Sequence, residues 1–280
     1  MGLKVVKSYY EVAMGITNIE HKTFEEMELP EVIYKYRDWN DTFHKRIITE
    51  REVFMAAPNS FEDPVDCKLP IEYSGLSKKE IREVCLYNSK LYCPERTRKQ
   101  HRKYAKNWRT ESPLGNINLI KQFQEQMLEK YNSQIGVLSL TANVKNLEMW
   151  EKYSNNHKGF AVGFNPIVMF QYLGGGGPVT YYDTLPTVRP VPIHSYDEQR
   201  CYQIFSKLSK WSFEEEYRTH IFRSNELTKE SRTIQIPAEA YTEIVIGADM
   251  PNDMFEDLLN SIPSELKQVT IKRADKNEMN

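Results

Sequence analysis

The sequence predicts an α+β protein with a mainly antiparallel central sheet or pair of sheets, flanking helices and a helical insertion near residues 77–131. Three observations carry that prediction. Eight or nine short runs are rich in β-branched and aromatic residues, and many of them follow one another without an intervening helix. A block of long polar helices separates the opening strands from the β-rich second half. No period recurs along the 280 residues, so repeat architectures are excluded.

Residues 1–30 mix apolar and acidic groups with weak helical periodicity and read as an N-terminal arm of a single domain, 1–280. VIYKYR (Val32 to Arg37) has strand composition, and the following DWND supplies N-cap candidates for a helix through TFHKRIIT. EVFMAAP reads as a second strand stopped by Pro58, before a turn-rich loop, NSFEDPVDCKLP. From about Ser77 to Tyr131 the pattern is helical and contains CPERTRKQHRKYAKNWR, the one strongly basic stretch. GVLSLTA then returns to strand, NLEMWEKYSNN is a short helix and KGFAVGF a further strand. NPIVMFQYLGGGGP carries Asn165 as N-cap, Pro166 at the first helical position and glycine at the stop. Its glycines follow a helix instead of opening one and no G-K-[ST] is present, which favours a plain loop over a phosphate-binding one. PVTYYD is a strand. SYDEQRCYQIFSKLSKW is expected to be one helix, with Cys201, Ile204, Phe205 and Leu208 on a buried stripe. Strands at 212–222, RTIQIP, YTEIVIGA and QVTIKRA, with a helix at PNDMFEDLLNSI, complete the chain.

Lys and Arg (37) nearly balance Asp and Glu (39), for a formal charge of −2. No global field therefore favours nucleic acid or an anionic membrane, and any nucleic-acid contact is local, through the basic helix near residues 95–109. The four cysteines form no C-x-x-C pair, so reduced thiols and no metal site are expected, and no apolar run approaches the roughly 18 residues of a membrane span, so a cytoplasmic protein without membrane attachment is expected.

The segment KWSFEEEYRTHIF concentrates charge where a strand is expected. With a period of two over Ser212 to Phe222, Glu214, Glu216, Arg218 and His220 share one face, while Phe213, Glu215, Tyr217, Thr219 and Ile221 take the other. Such a row is either a solvated face or a site. Partner groups come from two places. Ser139 and Thr141 share a face of the GVLSLTA strand, and Trp150, Tyr153 and His157 follow at spacings of three and four. In VIYKYR, Tyr34 and Tyr36 face one way and Lys35 and Arg37 the other, with Arg37 at a strand end suited to a phosphate.

Taken together, IYKYR, FEDPVDC, MWEKYSNNHKGFAVGF and KWSFEEEYR resemble the signature blocks of a widespread bacterial family of unknown function. Its hallmarks W-x-x-Y-x-x-x-H-x-G and W-x-x-E-x-E-x-R are met by Trp150, Tyr153, His157 and Gly159, and by Trp211, Glu214, Glu216 and Arg218. The block order also resembles, more loosely, the R-S-E class of the ADP-ribosyltransferase fold. That resemblance implies NAD as substrate and ADP-ribose transfer to a macromolecular acceptor, protein or nucleic acid, in toxin or phage-defence biology. It implies Arg37, Tyr34, Ser139, Thr141, Trp150, Tyr153 and His157 around the nucleotide, Glu216 as catalytic carboxylate and Glu214 orienting the acceptor. Thr141 stands where that class has a second serine. Two other readings stand beside it. Asp63 and Asp66-x-Lys68 echo the D...(D/E)-x-K arrangement of Mg²⁺-dependent nucleases, on a segment with turn composition. A non-enzymatic nucleotide-binding or protein-interaction module would need the aromatic cluster but not Glu216.

Overall fold

A computed structural model describes residue 23 and residues 26–279. The N-terminal arm expected over 1–30 lies largely outside the described residues. The fold is mixed α/β, with a mostly antiparallel open central sheet and several helices. The chain divides into two compact units. One holds Lys68–Glu129 and Pro186–Gln203; the other holds the described residues up to Cys67, Lys130–Leu185 and the described residues from Ile204 onward.

In the first unit, α2 (Lys78–Tyr92) and α3 (Arg98–Lys106) each begin with a capping box, Ser77 with Glu80 and Thr97 with Gln100. (α1 is Thr42–Thr49, in the other unit.) Ser89 Oγ lies 2.9 Å from His101 Nδ1 and also accepts from Arg96, a buried polar pin between α2 and α3. On α3, His101 and Ala105 are buried while Arg98, Lys99, Arg102, Lys103 and Lys106 are exposed, so the basic stretch has one packed stripe and a cationic outer surface.

The second unit holds the central sheet. Its strands are β1 (Ile33–Arg37), β3 (Ile135–Thr141), β4 (Phe160–Phe164), β5 (Gly177–Pro178), β8 (Glu216–Phe222), β10 (Tyr241–Ile246) and β11 (Thr270–Arg273), in the order β11-β10-β4-β1-β3-β8-β5. Within this sheet, among the described residues, only β10 and β11 pair in parallel. Two small sheets join β2 (Glu52–Phe54) to β9 (Thr233–Gln235), antiparallel, and β6 (Thr180–Tyr182) to β7 (Ser206–Leu208), parallel. One face of the central sheet packs the main core, including Ile33, Leu138, Leu140, Phe160, Val162, Phe164, Ile244 and Ile246. The other carries Tyr34, Tyr36, Ala161 and Val245 against Trp150.

Local chemistry explains several boundaries. Asp41 caps α1, accepting from the Phe43 and His44 amides. The helix Pro166–Leu173 has Asn165 as N-cap and ends at Gly174, whose φ of 86° suits glycine. The expected helix over SYDEQRCYQIFSKLSKW is shorter: the helix covers Tyr196–Phe205, Ser206–Leu208 becomes β7, and Ser209–Glu214 winds as a 3₁₀ turn. The buried stripe ends early because Ser206–Leu208 pairs with β6 and Lys207 is drawn to buried carboxylates. The expected strand over 212–222 is also corrected, since it starts only at Glu216.

Gly159 shows what the H-x-G pattern requires. A Cβ placed there would lie 2.1 Å from the Arg37 carbonyl oxygen, because β4 enters the sheet against the end of β1 at this point. Gly159→Ala is therefore expected to cost at least about 1–3 kcal/mol through overpacking. Urea unfolding should show a lower midpoint at unchanged slope.

Candidate functional site

The site grows from three adjacent strands of the second unit. Residues directly opposite in an antiparallel ladder share a face, so the pairs Tyr34↔Thr141 and Thr141↔Glu216 make a row across β1, β3 and β8. Ser139↔Arg218 forms the next row. Over these rows lies a cavity of about 210 Å³, lined by Tyr34, Lys35, Tyr36 and Arg37 from β1 and by Ser139, Leu140 and Thr141 from β3. Phe61, Glu62, Asp63, Asp66, Met149, Tyr153, Lys207, Trp211, Glu214 and Glu216 complete the wall.

Arg218 is fully buried, and its five N–H donors all find partners. Nε donates to Glu216 Oε1 at 2.7 Å and Nη2 to Glu216 Oε2 at 2.9 Å and Asp66 Oδ2 at 2.8 Å. Nη1 donates to the Ile204 carbonyl at 2.6 Å and to Cys67 Sγ at 3.0 Å. Lys207 binds the same acids from the β7 side. It donates to Glu214, to Glu216 Oε2 at 2.9 Å, and lies 3.5 Å from Asp66 Oδ2. Three carboxylates and two cations leave a cluster charge of −1. The outer ring is also fixed: Tyr153 Oη donates to Glu214 Oε1 at 2.6 Å, the Glu216 amide to Tyr181 Oη at 2.9 Å, and Trp211 Nε1 to Asp63 Oδ2 at 2.6 Å.

This environment sets the protonation states. Burial would raise the Glu216 carboxyl, but Arg218 and Lys207 outweigh it, with the Ser139 hydroxyl helping, and hold it at about 2. Burial would lower the Lys207 ammonium, but Glu216, Asp66 and Glu214 push it above the ordinary lysine range. Burial and the neighbouring Glu214 push the Tyr153 phenol up, so it stays a donor. At Lys35 burial works with the nearby Arg37 and overcomes Glu216 and Glu214, bringing the amine down to about 7. Arg37 is lowered by burial to about 10.

Of the residues singled out in the sequence, Glu216, Glu214, Arg37, Tyr34, Ser139, Thr141 and Tyr153 line the cavity. Trp150 and His157 do not. Trp150 is fully buried, donates its indole N–H to the Val144 carbonyl at 2.7 Å and packs edge-on to Tyr36 at 4.8 Å. His157, in left-handed backbone at φ 65°, stacks on Trp150 at 6.3 Å. The helix ends at Tyr153, so their spacing in the sequence does not place both rings on one helical face. Strand parity also needs correction at the glutamates: Glu214 belongs to the 3₁₀ turn and Glu215 is left-handed at φ 41°. Glu214 and Glu216 nevertheless converge on Lys207, while Glu215 is exposed and accepts from Asn143 at 2.8 Å. The sequence offered no sign of Lys207, which lay inside an expected helix, or of the Lys35 amine entering the cavity. Trp211 and Asp66 were visible only as members of motifs. Asp63 and Asp66, read as metal-ligand candidates, serve Trp211 and Arg218, and among the described residues no group of three or more His, Cys, Asp and Glu is arranged to hold a metal ion. Among the described residues no helix is long and apolar enough to cross a membrane.

No family model, curated protein or solved structure matches the chain.

Proposed function

We propose that the cavity binds NAD and that Glu216 supports cleavage of its nicotinamide glycosidic bond, with transfer of ADP-ribose to an acceptor. The observation that carries this reading is the convergence of Arg37, Ser139 with Thr141, and Glu216, from three adjacent strands in the order β1-β3-β8, on one cavity. The lining supports it further. Tyr34, Tyr36, Tyr153 and Trp211 offer aromatic surface for a flat ring, Arg37 and Lys35 offer cations or donors for phosphate oxygens, and buried carboxylates offer acceptors for ribose hydroxyls.

Breaking the bond to nicotinamide develops positive charge on the ribosyl ring, and a fixed anion stabilises that charge without reorganising. Glu216 is such an anion, held ionised and oriented by Arg218 and Lys207. A carboxylate accepts about four hydrogen bonds; Arg218 takes two and Lys207 one. The fourth is taken by the Ser139 hydroxyl, whose place on the carboxylate a ribose hydroxyl is suited to take. Glu214, tied to Tyr153, is suited to orient the acceptor.

The full pairing of Glu216 also favours a second reading, a nucleotide-binding module without chemistry. Calorimetric titration with NAD tests what the two share. We expect saturable binding, weakened about tenfold or more by Trp211→Ala, since base–aromatic stacking contributes about 1–3 kcal/mol. Heat of dilution alone would remove both readings.

A further inference from the structure

Two lysines enter the cavity, and their surroundings push them apart. Lys207 faces three carboxylates and is a permanent ammonium. Lys35 sits on β1 with Tyr34 and Tyr36 on either side, and β1 and β3 share a single register pair, Tyr34↔Thr141. Past that pair the ladder opens, and Lys35 Nζ reaches into the opening to donate to the Ser139 carbonyl at 2.7 Å, taking the place of a backbone donor. Among the described residues this is its hydrogen bond, and it goes to no carboxylate. The charged groups around it are Arg37 on its own strand, Lys207 on β7, and Glu214 and Glu216 across the cavity.

We propose that Lys35 is the proton acceptor of the cavity, and that the group it activates is a hydroxyl, a nucleophile that must lose a proton, and not a carboxylate. A neutral amine can keep its N–H bond to Ser139 while its lone pair faces the cavity. Burial and Arg37 hold Lys35 at about 7, so much of it is in that form at neutral pH. Environments that separate the two lysines assign the acid–base role to the one that can change state. The reaction balances: the hydroxyl proton passes to Lys35 Nζ, the oxygen's electron pair forms the bond to the ribosyl anomeric carbon, and the glycosidic pair leaves on nicotinamide, which becomes neutral. Lys35 then returns its proton to solvent. The chemistry of this step rests on the NAD reading; the state of Lys35 does not.

The test begins with the amine itself. In the full chain with ¹³C at the lysine ε carbons, the resonance lost in Lys35→Arg should titrate with a midpoint near 7. A midpoint near the ordinary lysine value of about 10.4 would overturn the proposal. With NAD, and water as the simplest hydroxyl acceptor, turnover should rise with pH through the same midpoint. Lys35→Arg and Lys35→Gln, each checked for native thermal unfolding, should lose about 100-fold in kcat with KM for NAD changed by less than about threefold, the size expected for a lost general base. Variants that retain the wild-type rate and pH profile would overturn it. Should the wild-type protein leave NAD intact, the NAD reading falls, and the titration midpoint alone then supports or overturns Lys35 as a proton acceptor.

Discussion

Arg218→Met is expected to destabilise the protein by about 3–5 kcal/mol at neutral pH, the range for removing one partner of a buried charge cluster. The side chain is fully buried and holds Glu216 through two parallel bonds while bridging to Asp66. Its loss takes the cluster from −1 to −2, with Lys207 left to face three buried acids. The hydrophobic replacement cannot recover that deficit, because the carboxylates stay desolvated. Urea unfolding followed by circular dichroism measures the effect. Adding Asp66→Asn to Arg218→Met should restore part of the loss by removing one stranded anion, and strict additivity of the two changes would contradict the cluster account. The same cluster sets the response to acid. The folded Glu216 carboxyl, at about 2, is depressed below its unfolded value near 4.5, so its stabilisation is complete above about 4.5 and is lost as pH falls toward 2.

Glu216→Gln is expected to fold and to lose nicotinamide release by about 100-fold or more, the scale of removing one preorganised electrostatic contact from a transition state. The arithmetic favours folding: with Glu216 neutral, Asp66 and Glu214 balance Lys207 and Arg218, so no buried charge is stranded. Glu215→Gln, one residue away, should leave both stability and turnover within about twofold, since that side chain is exposed and accepts from Asn143 at the surface. Glu214→Gln should fall between, because it removes one anion from Lys207 and the acceptor for Tyr153. The ordering of the three glutamates separates a site from a solvated acidic stretch.

Those glutamates also show what the sequence could and could not convey. Helix ends governed by local chemistry were legible: Asp41, Asn165 with Pro166, and Gly174 act within a few residues of their own positions. The mostly antiparallel sheet was legible in the succession of short β-rich runs. Lys207 was not, because β7 exists through pairing with β6 and through ion pairs to distant acids, while its own residues carry a helical period. Strand parity grouped Glu214 with Glu216 for a reason that does not hold, since a 3₁₀ turn and a left-handed Glu215 stand between them. Trp150 and His157 were at a spacing that suggested a shared face. Three successive left-handed residues, Asn155, Asn156 and His157, fold that segment back so that the two rings pack on each other away from the cavity.

The central claim is that this cavity breaks the glycosidic bond of NAD with Glu216 as the essential anion. Incubating the purified chain with nicotinamide-labelled NAD, beside Glu216→Gln and Glu215→Gln, tests it most directly. The account predicts nicotinamide release by the wild type and by Glu215→Gln, and about 100-fold less by Glu216→Gln. No release by the wild type, or equal release by all three proteins, would contradict it.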